Sequence, residues 1–110
     1  MKIPNASQAI VHPDKLRRYL LDADHKRGKN KATLLLSFGY TPENWQQLEN
    51  DLRHYHLTAE VTAVRETLYG LRYEIRAVLI APNGRPLQVR TVWQVDKGTD
   101  YPRFITLFPD

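Results

Sequence analysis

The chain has 110 residues, with 16 Lys and Arg against 12 Asp and Glu, a net charge of +4 and no cysteine. That length predicts one domain able to bury its own core, and the missing cysteines exclude disulfides, thiolate metal sites and cysteine nucleophiles together. No apolar run approaches the length that spans a bilayer. The start, Met1-Lys2-Ile3-Pro4-Asn5, lacks the apolar core of a signal peptide, so the expected location is the cytoplasm, with no membrane partner.

In chain order, Ala9-Ile10-Val11 reads either as an edge strand or as an arm laid on the core. His12-Pro13-Asp14 then starts a helix, since proline is tolerated at the first helical position and an acid suits the positive end of the dipole. This first helix is expected over about residues 13–21, with Leu16, Tyr19 and Leu20 facing inward. A second runs from near Lys29 or Asn30 to a glycine cap at Gly39, its inner row formed by Lys31, Leu34, Leu35 and Phe38. Thr41-Pro42-Glu43 opens a third, carrying Trp45, Leu48, Leu52 and Tyr55 to about His56. After Leu57, β-branched residues and turn residues take over. Four strands are predicted, over about 59–67, 72–80, 86–95 and 103–108, with Asn83-Gly84 supplying positive backbone angles for a hairpin. The fold class is α+β: about three helices within 1–57, packed on one face of a four-stranded antiparallel meander formed by 58–110.

Strand alternation divides the sheet into two faces. Tyr73, Ile75, Ala77 and Leu79, then Val89, Thr91, Trp93 and Val95, then Phe104, Thr106 and Phe108 should meet the helices. The other face collects Arg72, Glu74, Arg76, Arg90, Gln94 and Arg103. It is read as a solvated face or as an arginine floor for phosphate, whose geometry suits the guanidinium fork. A slip of one residue would exchange these faces.

The most unusual segment is His25-Lys26-Arg27-Gly28-Lys29-Asn30-Lys31. Without its four cations, 12 basic side chains face 12 acidic ones, so the whole net charge resides there. It lies where the second helix begins, the end whose own dipole repels cations and attracts anions. No metal site is expected: His54 and His56 are two apart and cannot share a helix face. The chain shows no serine elbow, phosphate loop or dinucleotide fingerprint, and no cofactor is expected. Metal-independent RNA cleavage is chemically open. It needs a base for the 2′-hydroxyl, an acid for the 5′-oxygen and cations around the phosphate. His25 is suited to proton transfer near neutral pH, Glu74 is a carboxylate among arginines, and Lys29, Lys31 and the arginines carry the charge.

Several motifs carry a resemblance. Ile3-Pro4-Asn5, Asp14-Lys15-Leu16, Tyr19-Leu20-Leu21, His25 with Gly28 and Lys31-Ala32, Gly39-Tyr40 and Trp45 stand in the first half. Tyr69-Gly70 with Tyr73, Asn83-Gly84-Arg85, Thr91-Val92-Trp93 and Pro102-Arg103 with Thr106 and Pro109 stand in the second. Together they resemble a family of small bacterial proteins known only as a domain of unknown function. More remotely, helices followed by an antiparallel sheet, with His-x-x-Gly-x-x-Lys entering a helix, are similar to RNase toxins of the barnase, EndoU, colicin D and RelE type. That resemblance implies His25, Lys31, Thr91, Arg103 and Thr106 as catalytic positions. Tyr73, Lys26, Arg27, Lys29, Arg72, Arg76 and Arg90 are taken as substrate-binding. Lys26 stands where the family pattern often has proline. The implied function is a small RNase-like toxin, or a toxin-related protein, acting on RNA. The alternative is a non-catalytic module of antitoxin, immunity or structural type that binds nucleic acid or a small acidic cognate protein.

Overall fold

The computed structural model describes residues 1–25 and 29–110, and of Lys29 the backbone only. The Lys26 and Arg27 assignments, and the side chain of Lys29, therefore lie outside the described residues.

Three helices precede the sheet. α1 starts at Pro13–Lys15 and continues as a π-helical segment, Leu16–Leu20, closed by Leu21 N–H to Leu16 O at 2.8 Å. His12 caps it: its Nδ1 accepts from the Asp14 N–H at 3.2 Å, satisfying an otherwise orphaned helix donor. α2 spans Lys29–Ser37. Gly39 follows at φ 99° with Tyr40 N–H bonded back to Leu35 O at 3.2 Å, the left-handed stop expected of that glycine. α3 spans Trp45–Asp51 and continues as a second π-helical segment, Leu52–His56. It begins later than Thr41-Pro42 suggests. Thr41 Oγ1 accepts from Asn44 N–H at 3.1 Å, so the threonine caps a preliminary turn rather than the helix itself.

The sheet is antiparallel in the order β1-β2-β3-β4, with β1 at Ala63–Thr67, β2 at Gly70–Ile80, β3 at Pro86–Asp96 and β4 at Arg103–Pro109. The β2–β3 hairpin differs in detail from expectation. Only Gly84 has positive φ, at 82°. Its N–H bonds Ala81 O at 2.8 Å while Ala81 N–H bonds Arg85 O at 3.0 Å, which makes a three-residue loop ending in a left-handed glycine. The segment before α1 resolves as an arm. Ile10 forms one parallel bridge to Arg103 at the β4 edge, through Ile10 N–H to Pro102 O at 2.9 Å and Phe104 N–H to Ile10 O at 2.8 Å. Ala9 and Val11 on either side are buried. No helix among the described residues is long and apolar enough to cross a membrane.

The core lies between the helices and one sheet face. Leu16, Leu20, Leu35, Leu48 and Leu52 meet Ile75, Leu79, Val89, Trp93, Phe104 and Leu107, all buried. The alternation predicted for β2 and β3 holds. That for β4 does not. Trp93 pairs with Phe104 but Val92 pairs with Thr106, so Ile105 is an inserted residue and the pairing shifts. A bulge of one residue reverses the parity of everything after it. Leu107, opposite Thr91, enters the core, and Thr106 and Phe108 fall on the outer face opposite Val92 and Arg90.

Thr91, read as a catalytic candidate, is fully buried in the core. Trp93 Nε1–H donates to its Oγ1 at 2.9 Å, and that hydroxyl lies 2.8 Å from His56 Nδ1. His56 Nε2 is 3.1 Å from Ala77 O, which can only accept, so Nε2 carries the proton and Nδ1 accepts from Thr91. The chain runs Trp93 to Thr91 to His56 to Ala77 with every polar atom used. The π-helical end of α3 sets His56 against the sheet in this way.

Burial pushes the His56 imidazole down to about 4, against a smaller upward pull from the Ala77 carbonyl. The folded state therefore binds this proton more weakly than the unfolded chain does. The stabilisation is complete above the unfolded value of 6.5 and is lost as the pH falls toward 4. Between pH 7 and pH 5 the protein should lose about 2 kcal/mol through His56 alone. Denaturant unfolding at the two pH values measures this, and His56→Gln should flatten the slope.

Candidate functional site

A cleft of about 850 Å3 opens between α1, the entry to α2 and the edge strand β4. Four residues singled out in the sequence line it: His25, Lys31, Arg103 and Thr106. They come from three separate parts of the chain. The turn before α2 places His25, through Asp22, whose carbonyl accepts from His25 N–H at 3.1 Å and whose Oδ1 accepts from Asp24 N–H at 2.9 Å. The first turn of α2 places Lys31, and the bulged β4 places Arg103 and Thr106.

Lys31 is the centre of the site. Its Nζ donates to Thr106 Oγ1 at 3.0 Å and to Tyr19 Oη at 3.3 Å, and lies 4.2 Å from the Phe108 ring centroid. The stem thus follows the apolar row of its helix while the ammonium reaches the rim, as a first-turn lysine in line with that row can do. All of these partners are neutral. Among the described residues no carboxylate lies within ion-pair distance of Lys31, although Asp14 in the same cleft pairs with Arg17 at 3.7 Å and Arg18 at 3.6 Å. A half-buried ammonium held by two hydroxyls and a ring retains its capacity to attract an anion.

Tyr19 links the parts. Its ring meets His25 edge to face at 5.0 Å between centroids. Burial raises the phenol, but hydrogen bonds with Lys31 and Thr106 and the charges of Lys31 and Lys15 outweigh it and hold the group below the usual phenol value. Arg103 is differently placed. Its Nε and Nη2 donate to the two Asp96 oxygens at 2.6 and 3.2 Å, and this contact lowers Asp96 and raises Arg103. Its fork is already occupied by a carboxylate, so it offers the cleft less positive charge than Lys31.

The remaining sequence candidates lie elsewhere. Thr91 and Tyr73 are core residues on the helix-facing side. The outer arginines are held by neighbours: Arg72 donates to Gln94 at 3.1 Å, Arg76 to Asp110 at 3.2 Å and Arg90 to Glu74 at 2.6 Å, with Arg65 also on Glu74 at 3.2 Å. Glu74 is accordingly a buried counter-ion between two arginines, placed to neutralise them rather than to act as a base. Among the described residues no three His, Asp or Glu side chains gather as metal ligands. Residue-by-residue reading missed Tyr19, His12, Lys15 and Phe108 as cleft residues. Tyr19 shares a helix face with two leucines and reads as core. Phe108 reaches Lys31 only because of the bulge, which nothing in the pattern announces.

The sequence matches the model of one protein family, described as a domain of unknown function (DUF6883), over residues 2–110. The chain belongs to the DUF6883 family. No curated protein matches it in sequence. In structure the DUF6883 chain is similar to a chain of a contact-dependent growth inhibition toxin–immunity protein complex from Klebsiella pneumoniae 342. The TM-score is 0.65 at 16% identity, over 92% of this chain and 99% of that one. At that identity the likeness concerns the fold, helices followed by a four-stranded antiparallel sheet.

Proposed function

We propose that this DUF6883 protein is a toxin-related ribonuclease that cleaves RNA by transesterification without requiring a metal. The observation that carries the reading is Lys31, an ammonium whose partners among the described residues are all neutral, in one cleft with His25. A phosphodiester placed there meets fixed positive charge where negative charge grows in the transition state. His25 carries one of the two proton transfers, taking the 2′-hydroxyl proton or supplying one to the 5′-oxygen. The 2′-oxygen bonds phosphorus as the bond to the 5′-oxygen breaks, leaving a cyclic 2′,3′-phosphate and a 5′-hydroxyl. Thr106 orients Lys31 and the phosphate, and Arg103 adds charge at the cleft wall. The fold shared with a chain of a toxin–immunity protein complex supports a toxin-related setting.

The test is incubation of purified protein with tRNA in EDTA. Fragments ending in cyclic phosphate are expected, and His25→Ala should slow their appearance by roughly 10²–10⁴-fold. Intact RNA, or cleavage indifferent to His25→Ala, overturns the reading.

One observation favours a second reading. The structurally similar chain comes from a complex of two proteins, so this protein is alternatively a non-catalytic partner of an acidic protein. That reading predicts salt-sensitive binding with RNA left intact.

A further inference from the structure

We infer that the part of the cleft around Ile10, Ile105 and His12 is a nucleobase subsite, with His12 as its hydrogen-bond donor. This rests on the ribonuclease reading, because the phosphate it presupposes is the one held at Lys31. Three observations converge. Ile10 is 50% exposed although its neighbours Ala9 and Val11 are buried, and it lines the cleft. Its position is not loose, because its N–H donates to Pro102 O and its carbonyl accepts from Phe104 N–H of β4. Ile105 is the inserted residue of the bulge and lines the same cleft. Apolar surface is therefore held in the lining of the cleft that Lys31 also lines, and Ile10 is left half uncovered by the protein's own chain. A flat apolar ring covers such surface at a gain proportional to the area removed from water.

His12 supplies the polar half. The Asp14 N–H donates to Nδ1 at 3.2 Å, so Nδ1 bears no proton and Nε2 carries it. A histidine in this tautomer is a donor at Nε2. It suits an acceptor on a base edge, a ring carbonyl or an unprotonated ring nitrogen. The other charged residues lining the cleft are Asp14, engaged with Arg17 and Arg18, together with Lys15 and Arg103, the last engaged with Asp96. His25 and Lys31 face the same space from the α2 side. The volume of about 850 Å3 falls within the range of sites that take a single ligand of this size.

The experiment titrates wild-type protein with each of the four nucleoside 3′-monophosphates and, separately, inorganic phosphate, following side-chain NMR signals. Inorganic phosphate should move Lys31, Tyr19, Thr106 and His25 and leave Ile10, Ile105 and His12 unmoved. At least one nucleotide should also move the Ile10 and Ile105 methyls and the His12 ring. His12→Asn keeps a favoured cap residue and removes the ring donor, and Ile10→Ala removes wall area. Each should weaken the preferred nucleotide about tenfold, the size of one lost hydrogen bond or a few methyl groups, and leave inorganic phosphate binding unchanged. Nucleotides that move only the residues phosphate moves, or variants that bind nucleotides like wild type, overturn the subsite. The two readings fail separately. Nucleotide seated at Ile10 and His12 with RNA left uncut removes the ribonuclease and keeps the subsite. RNA cut with wild-type base preference by both variants removes the subsite alone.

Discussion

Lys31→Ala should lower RNA cleavage by roughly 10²–10³-fold, the usual consequence of removing one preorganised electrostatic contact from a transition state. The magnitude follows from its surroundings. The ammonium is already held by Thr106 and Tyr19 at 3.0 and 3.3 Å and is half-buried over Phe108, so it need not reorganise when charge develops. Nothing acidic competes for it among the described residues. Arg103 does not replace it, because its Nε and Nη2 are turned to the Asp96 carboxylate. Lys31→Met separates charge from packing, since the thioether keeps an apolar stem over Phe108 and loses only the cation. Both variants should melt within about 1 kcal/mol of wild type, because the two hydroxyls left behind can turn to each other or to water. Cleavage by Lys31→Met at the wild-type rate would mean that the ammonium contributes packing alone.

Thr91→Val is expected to destabilise the protein by about 2–4 kcal/mol. The shape is nearly conserved, so the cost is not a cavity. It comes from two buried groups left without partners, the Trp93 indole N–H and the lone pair of His56 Nδ1. A fall in melting temperature of roughly 10–20 °C should follow for a chain of this size. Thr91→Ser keeps the hydroxyl and should recover most of the loss. Below its transition Thr91→Val should cleave RNA like wild type, since Thr91 lies in the core and not among the residues of the cleft. A variant that stays stable but inactive would return Thr91 to the site.

These two positions show why the sequence was informative about the fold and uneven about the site. Thr91 and Thr106 look equivalent in the pattern, each a threonine among apolar neighbours on adjacent strands. One inserted residue, Ile105, separates them onto opposite faces of the sheet. The same insertion carries Phe108 from the expected core to the ammonium of Lys31, where it also stacks 4.7 Å from the Arg90 guanidinium. The arginines of the outer face were visible as a group. Their partners Glu74, Asp96, Gln94 and Asp110 belong to other strands or to the chain end, and pairing at that distance depends on register. His25 and Lys31 were conspicuous in the chain because the excess charge is concentrated around them. Tyr19, which joins them, was not, since a tyrosine between leucines on a helix carries no polar signal.

Local chemistry decided the helix stops, the hairpin at Gly84, the apolar rows of β2 and β3 and the α+β order, because caps, turn residues and alternation act over a few residues. The makeup of the cleft was decided only in three dimensions. Which face Thr106 and Phe108 occupy depends on a bulge with no sequence mark, and which cations keep their charge available depends on carboxylates delivered by other strands. Lys31 stands out at the end of both readings for one reason. Its place in the first turn of α2 is written in the chain, and its lack of an acidic neighbour among the described residues is a property of the folded surface around it.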